Sequence, residues 1–315
     1  MKKLFKNCID VLECDGWLLP TRFTAPERKL LDEREATHIR GNAPSSVCLA
    51  FKTAATKISL DYKITGKSRP WALFDLKCDG VIVDSVALEE DEGRVEFSLS
   101  GDEDSEYRIY LPHLVIVYVR NIIADAPLLP TSDREYTWLA LGDSITQGMN
   151  AKHPTSAYPS VVSEYLGCDV INAGVGGAIF DSEHLDYLGI EPKLITIAFG
   201  TNDWGIPADN LEAEILKYID KLISLYKCRN IYAIIPIWRS DEGKVKAEMT
   251  FSAHRALVQK TLQRYPFIRF IDGYKIVPRL REFYGEDKEP RVHPTDEGFM
   301  HMSLEIIKEI GDFHE

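Results

Sequence analysis

The sequence lacks the features that mark several large classes of protein. No apolar run reaches the roughly 18 residues needed to cross a bilayer, so no membrane partner is expected. Near the N-terminus, where lysines resemble those of an export signal, Asp10, Glu13 and Asp15 interrupt the apolar segment. Acidic residues outnumber basic ones by 49 to 37, and this excess opposes the basic surface that nucleic acid requires. The sequence therefore predicts a soluble globular protein that binds neither membranes nor nucleic acid.

Cysteine and histidine are also sparse, and neither follows a ligand pattern. The six cysteines include no Cys-x-x-Cys pair, and a chain of 315 residues does not need disulfides to build a core. This usage favours a reducing, cytoplasmic location. The eight histidines show no His-x-His or His-Glu-x-x-His spacing, so neither a metal site nor another cofactor is predicted. No sequence feature indicates an oligomeric state.

The hydrophobic pattern of the chain changes near residue 130. Before that point, short segments with strand-like composition are joined by turns, including a hairpin signal at Asp79-Gly80, because glycine accepts positive φ. Beyond it, apolar runs typical of strands buried on both faces alternate with helical patterns. We predict a jelly-roll-like β-sandwich domain without helices over residues 1–130. A three-layer α/β/α domain with a parallel sheet is predicted over residues 131–315, with a proline-containing linker at 126–135.

Small and polar residues follow the predicted strands of the second half, which is where parallel sheets bind ligands. Ser144 follows the first strand, the glycines of segment 172–178 follow the second, and Asn202 follows the third. His293 lies just before a C-terminal helix that Thr295 can cap. Acyl transfer needs a nucleophile, a base and hydrogen-bond donors for the oxyanion. The serine, the histidine, the asparagine amide and the backbone N–H groups at the glycines supply these types.

Four segments in this order, GDSITQG, NAGVGG, GTND and VHPTDEG, resemble the blocks of the SGNH (GDSL) hydrolase family of esterases and acylhydrolases. The match covers most of residues 136–315, whereas the Gly-x-Ser-x-Gly elbow of α/β-hydrolases is absent. The resemblance implies that Ser144 is the nucleophile and His293 the base. It further implies that Asn202 and the N–H groups of Ser144 and Gly177 form the oxyanion hole.

One position departs from the family's pattern. The family usually has an aspartate three residues before the histidine, and this sequence has Pro290 there. Such an aspartate holds the imidazole in the productive tautomer. Three alternatives remain: the carbonyl of Pro290 or a neighbour accepts from His293, Glu289 or Asp287 replaces the aspartate, or activity is lost. We favour the carbonyl, because the chain also resembles two-domain carbohydrate esterases of this family that work with a Ser–His dyad.

The second resemblance rests on the segment RPWALFDLKCDG, which is similar to a segment of the β-sandwich in those esterases, with Lys77 in place of their tyrosine. It implies hydrolysis of carboxylic esters through an acyl-serine intermediate, with acetylated oligosaccharides as substrates. Three aromatic residues are candidates for the lining of a sugar or acyl pocket, namely Trp204, Trp238 and Tyr158. The alternatives are an acylhydrolase that acts on lysophospholipids or thioesters, and a catalytically inactive glycan-binding protein.

Overall fold

The structure is a computed structural model that describes residues 1–286 and 289–311. The chain divides into two compact units. The first contains residues 1–135 together with the short segment 152–155, and the second contains the described residues from 136 to 151 and from 156 onward. The first boundary between the units lies after residue 135.

The first unit consists of antiparallel strands in two sheets. Its strands are β1 (Phe5–Lys6), β2 (Asp10–Cys14), β3 (Trp17–Thr21), β4 (Cys48–Lys52), β5 (Lys57–Lys67), β6 (Leu73–Cys78), β7 (Val81–Ala87), β8 (Glu92–Ser98), β9 (Glu106–Tyr110), β10 (Val115–Ala124) and β11 (Leu129–Pro130). One sheet has the order β1-β4-β9-β6-β7, with β11 paired to β4, and the other has the order β2-β3-β10-β5-β8. A single cluster of buried apolar side chains draws on both sheets, which confirms the predicted β-sandwich.

Alternation along the strands explains which side chains form this core. In β5, Ile58, Leu60, Tyr62 and Ile64 are buried while their neighbours are wholly or partly exposed, as expected for side chains that point to opposite faces in turn. The turn between β6 and β7 also has the predicted geometry, since both of its residues, Asp79 and Gly80, have positive φ.

Two expectations for the first unit are wrong. The unit contains two helices, α1 (Ala25–Leu31) and α2 (Glu35–Asn42), and a 3₁₀ turn at Lys2–Leu4. The helices are short and carry few apolar residues, so no apolar stripe marks them in the sequence. The predicted linker is partly regular structure, because β11 pairs with β4 in an antiparallel register.

The second unit contains a parallel sheet of five strands with helices. In chain order its elements are β12 (Thr137–Gly142), α3 (Ser144–Gln147), α4 (Tyr158–Leu166), β13 (Asp169–Gly174), β14 (Leu194–Ala198), α5 (Ala208–Leu225), β15 (Ile231–Ile235), β16 (Val245–Lys246), β17 (Met249–Thr250), α6 (Phe251–Leu262), β18 (Ile268–Asp272), α7 (Gly273–Ile276) and α8 (Asp296–Ile310), with 3₁₀ turns at Ser182–His184 and Arg281–Phe283. The parallel strands have the order β13-β12-β14-β15-β18, and β16 and β17 form a separate hairpin.

Helices cover both faces of the parallel sheet. Side chains of α4 and α8 share one buried cluster with Trp138 and Ala140 of β12. Leu139 points to the opposite face and is equally buried, and the second helix pair, α5 with α6, packs together there. This confirms the predicted three-layer domain.

The carboxyl ends of three neighbouring strands lie side by side. Gly142 of β12 pairs with Gly174 of β13 and with Ala198 of β14. The residues that follow these strands therefore leave the sheet at the same edge. Helix α3 packs directly on this edge, because a Cβ at Gly142 would lie 2.1 Å from Oγ1 of Thr146 and one at Gly174 would lie 2.4 Å from the backbone nitrogen of Gln147.

Candidate active site

Ser144 and His293 are hydrogen-bonded to each other at this edge. Ser144 is the first residue of α3, and the cap of that helix is the preceding residue, Asp143, whose carboxylate accepts the N–H of Ile145 at 2.9 Å. The Ser144 hydroxyl is therefore not needed as a cap. Its Oγ lies 2.8 Å from Nε2 of His293. A neutral imidazole in this position accepts the hydroxyl proton, so the pair has the geometry of a nucleophile and its general base.

The other ring nitrogen of His293 is held by Glu286, a residue that sequence reasoning did not name. Oε1 of Glu286 hydrogen-bonds Nδ1 of His293 and also accepts the backbone N–H of His293 at 2.9 Å. Oε2 accepts the N–H of Val292 at 3.0 Å. Burial raises the pKa of the Glu286 carboxyl, but the bond to His293, its charge and the two N–H groups outweigh burial and lower the pKa below its usual value. An ionised Glu286 keeps the proton of neutral His293 on Nδ1.

A short antiparallel pairing of the chain brings Glu286 beside His293. Tyr284 forms a bridge with Pro294, and the N–H of Gly285 donates to the carbonyl oxygen of His293 at 2.9 Å. Directly afterwards Thr295 caps α8 through its side chain, as predicted. This pairing of residues 284–285 with residues 293–294 brings the base and its acidic partner together.

Hydrogen-bond donors face the same edge of the sheet. Within the described part of the chain, the backbone N–H groups of Ser144 and Gly177 have no partner, and Gly177 is exposed with a φ of 87°. The neighbouring N–H of Gly176 donates to Oε1 of Gln147 at 2.8 Å, which ties this loop to α3. Nδ2 of Asn202 donates one hydrogen to a backbone carbonyl at 2.9 Å and keeps a second hydrogen. The structure thus brings the predicted oxyanion donors to the same edge as the nucleophile.

Residues 140–300 match the family model described as GDSL-like Lipase/Acylhydrolase family. The matched segment spans more than half of the chain. The chain belongs to the GDSL-like lipase/acylhydrolase family. No curated protein matches the sequence.

Solved structures share the fold of this GDSL-family chain at low sequence identity. The salicylyl-acyltransferase SsfX3 from a tetracycline biosynthetic pathway is 19% identical, with a TM-score of 0.82 over 98% of this chain and 94% of that one. A family two carbohydrate esterase from Clostridium thermocellum, solved in complex with cellohexaose, is 16% identical, with a TM-score of 0.65 over 85% and 91%. The acetyl xylan esterase Est2A from Butyrivibrio proteoclasticus is 12% identical, with a TM-score of 0.64 over 99% and 96%.

The aspartate that the GDSL family usually has at the position of Pro290 orients the histidine, and the structure gives this role to a different group from the one that the sequence favoured. The preference for a backbone carbonyl is wrong, because Nδ1 of His293 is already bound to the carboxylate of Glu286. Glu289 does not replace it either, since its carboxylate accepts from Ser240 and lies 3.1 Å from Nη2 of Arg281. The third candidate, Asp287, lies outside the described residues.

Two of the three aromatic candidates cannot line a pocket for substrate. Tyr158 is 0% exposed, and its hydroxyl hydrogen-bonds Oγ1 of Thr146 at 2.9 Å. Trp204 is 1% exposed, and its indole N–H donates to the carbonyl oxygen of Met249 at 3.0 Å. Both rings belong to the packed interior, so the prediction that they contact substrate is wrong.

Trp238 is the aromatic candidate that remains accessible. It is half-buried, its indole N–H donates to Oε1 of Glu242 at 2.9 Å, and its ring packs edge-on against Tyr284 at 5.0 Å between centroids. Two residues further, the N–H of Ser240 donates to the carbonyl oxygen of Arg291 at 3.0 Å. This pairing places Trp238 beside the segment that carries His293.

Two buried acidic residues, Asp143 and Asp203, are the chain neighbours of the candidate oxyanion donors Ser144 and Asn202. Burial raises the pKa of Asp143 to about 7 and the pKa of Asp203 to about 6. The nearby charge of Asp203 disfavours the ionisation of Asp143 further. Each uses one oxygen to accept a backbone N–H, from Ile145 and Phe180 respectively. The other oxygen of each has no hydrogen-bond partner among the described residues.

Residues 1–286 and 289–311 contain no cluster of three or more His, Cys, Asp or Glu side chains arranged to hold a metal ion. No helix in this part of the chain is both long and apolar enough to span a membrane.

Proposed function

We propose that the protein is a serine esterase whose catalytic triad is Ser144, His293 and Glu286. The observation that carries this proposal is the continuous chain of hydrogen bonds from the Ser144 hydroxyl through both nitrogens of His293 to the Glu286 carboxylate. A nucleophile, a base and a group that orients the base are thereby in line.

In the proposed reaction, Nε2 of His293 takes the hydroxyl proton as Oγ of Ser144 attacks the ester carbonyl carbon. Glu286 stabilises the imidazolium that forms. The oxyanion accepts hydrogen bonds from the N–H groups of Ser144 and Gly177 and from the amide of Asn202. As the tetrahedral intermediate collapses, His293 returns the proton to the leaving alcohol, and the acyl group stays on Ser144.

The second half of the reaction reverses these roles. His293 removes a proton from water, the resulting hydroxide attacks the acyl-serine carbonyl, and the same donors hold the new oxyanion. The carboxylic acid leaves as the proton returns to Oγ of Ser144. Every proton therefore moves between substrate, water and this pair of residues, and the proposal requires no cofactor.

We propose acetylated oligosaccharides as the substrate class. The support is the fold shared over most of the chain with esterases described as acting on carbohydrate, together with the accessible ring of Trp238 beside the candidate base. Aromatic side chains combine an apolar face with a fixed orientation, which suits the flat face of a pyranose ring. Lysophospholipids, thioesters and a binding role without catalysis are the competing alternatives.

The test compares turnover of the wild type and Ser144→Ala on p-nitrophenyl esters of increasing chain length, on an acyl-thioester and on acetylated xylo-oligosaccharides. Ser224→Ala, which alters an exposed helix serine, is the matched control. We expect turnover that requires Ser144 and is fastest with acetyl esters. A preference for long acyl chains would contradict the proposed substrate, and oligosaccharide binding without Ser144-dependent turnover would identify a binding protein.

A further inference from the structure

Arg239 is a buried cation that reaches the loop of a candidate oxyanion donor. It is 8% exposed, and its Nε and Nη2 form a bidentate pair with the similarly buried Asp241, at 2.5 and 3.2 Å. Its remaining terminal nitrogen, Nη1, donates to the carbonyl oxygen of Thr201 at 3.0 Å. Thr201 directly precedes Asn202. The guanidinium therefore links the carboxylate of Asp241 to the peptide group between Thr201 and Asn202.

Aromatic rings hold the guanidinium in one plane. Its central carbon lies 5.1 Å from the ring centroid of Trp204 and 5.4 Å from that of Phe251, within the range of a cation–π interaction. The two rings also pack on each other, and the indole N–H of Trp204 is tied to the β16–β17 hairpin. Arg239 therefore has little freedom to change its orientation.

The loop that Arg239 contacts is connected to the other oxyanion donor. Nδ2 of Asn202 donates to the carbonyl oxygen of Ala178, the residue after Gly177, and Oδ1 of Asp203 accepts the N–H of Phe180. The carbonyl of Thr201 and the N–H of Asn202 belong to one planar peptide unit. A hydrogen bond that fixes this plane therefore limits where the free amide hydrogen of Asn202 can point.

We infer that Arg239 is a positioning residue for acyl transfer, which orients the Asn202 amide toward the oxyanion through the carbonyl of Thr201. This inference rests on the proposed function. A buried ion pair adds little net stability, because desolvation offsets most of the charge attraction. Its rigid, directional geometry is the property that an oxyanion site needs.

Arg239→Lys retains the positive charge but removes the planar guanidinium, so it tests whether the geometry of the contacts with Asp241 and Thr201 matters. Arg239→Lys cannot hold the Asp241 carboxylate in a bidentate pair and the Thr201 carbonyl at once, since an ammonium lacks the planar fork. We expect kcat to fall about 10- to 100-fold with KM nearly unchanged, because the lost interaction stabilises only the transition state. The upper limit is the loss of about 10² to 10³ that removal of one oxyanion donor causes.

Arg255→Lys is the matched control. Arg255 also binds a backbone carbonyl, that of Pro236, a carboxylate, that of Asp272, and an aromatic ring, that of Tyr274. None of its hydrogen bonds or ring contacts within the described residues involves the loop at 200–206. We expect its kcat to stay within about twofold of the wild type.

A double-mutant cycle separates positioning from general destabilisation. If Arg239 acts through Asn202, Arg239→Lys should cost almost nothing further in an Asn202→Ala background. Additive losses in folded variants would overturn the inference, as would a wild-type kcat in Arg239→Lys.

A second readout is independent of turnover. In protein labelled with ¹⁵N-asparagine, the side-chain amide signal of Asn202, assigned by its absence in Asn202→Ala, should shift in Arg239→Lys and not in Arg255→Lys. An unmoved signal would contradict the inference. A shifted signal in a protein without Ser144-dependent turnover would show that Arg239 orients the Asn202 amide but would reject the esterase proposal.

Discussion

Replacement of Glu286 by glutamine tests the feature of the site that the sequence did not suggest. The carboxylate accepts three N–H groups, from Nδ1 and the backbone of His293 and from the backbone of Val292. A carboxamide of the same shape has one oxygen and one NH₂ group, so it cannot accept all three. With its oxygen toward Nδ1, the NH₂ group opposes the N–H of Val292. In the other orientation, the NH₂ group faces Nδ1 and forces the unproductive tautomer of His293.

Either orientation also removes the negative charge that stabilises the imidazolium. We expect kcat of Glu286→Gln to fall toward the roughly 10⁴-fold loss seen when the acid of a serine-protease triad is disabled. Such a loss corresponds to about 5 kcal/mol of transition-state stabilisation. KM should change little, since Glu286 contacts the base and not the substrate.

The assay is steady-state hydrolysis of p-nitrophenyl acetate, with circular dichroism and thermal unfolding to verify that each variant is folded. Glu289→Gln is the control in the same loop, because this exposed carboxylate binds Ser240 and Arg281 instead of His293. Its rate should stay within about tenfold of the wild type, well short of a triad loss. A loss below tenfold for folded Glu286→Gln would refute the triad, and a large loss for Glu289→Gln would assign the role to that residue.

Three further predictions follow from the site. Asn202→Ala should lower kcat by about 10²- to 10³-fold at similar KM, and an unchanged kcat in the same esterase assay would exclude this amide from the oxyanion hole. Trp238→Ala should raise KM for acetylated xylo-oligosaccharides but not for p-nitrophenyl acetate, whereas Tyr158→Phe should change neither KM and lower stability in urea by about 1 kcal/mol. The folded pKa of Asp143 exceeds its unfolded value, so the contribution of this residue to stability should fall by at most about 4 kcal/mol as pH rises from about 4 to about 7. In urea titrations, Asp143→Asn should therefore lose less stability than the wild type over this pH range.

Local patterns were sufficient to predict the architecture and the main pair of the site. A strand buried on one face alternates apolar and polar residues, as β5 does, whereas a strand buried on both faces is apolar throughout, as the parallel strands are. These two patterns predicted the two kinds of sheet. The rule that ligands meet parallel sheets at their carboxyl ends singles out Ser144. His293 was predicted from the segment VHPTDEG before the last helix and from its resemblance to a block of the SGNH (GDSL) family. Helices α1 and α2 have no apolar stripe and were not predicted.

The partner of His293 was not predictable because it depends on the pairing of two chain segments, residues 284–285 and 293–294. Glu286 lies seven residues before the histidine in the sequence and becomes its neighbour only through the pairing of Gly285 with His293. The acidic composition of the segment 286–289 was the available signal, and it did not distinguish one carboxylate from another. The burial of Trp204 likewise depends on distant partners, chiefly the β16–β17 hairpin.

The central claim, that the Ser144 hydroxyl is a nucleophile activated by His293, can be tested directly by covalent labelling. A fluorophosphonate should add one phosphonyl group to the protein, and peptide mass spectrometry should place it on Ser144. The label should be absent in Ser144→Ala and form far more slowly in His293→Ala. A folded wild-type protein that stays unlabelled, or a label that forms on a different serine at the same rate without His293, would contradict the account.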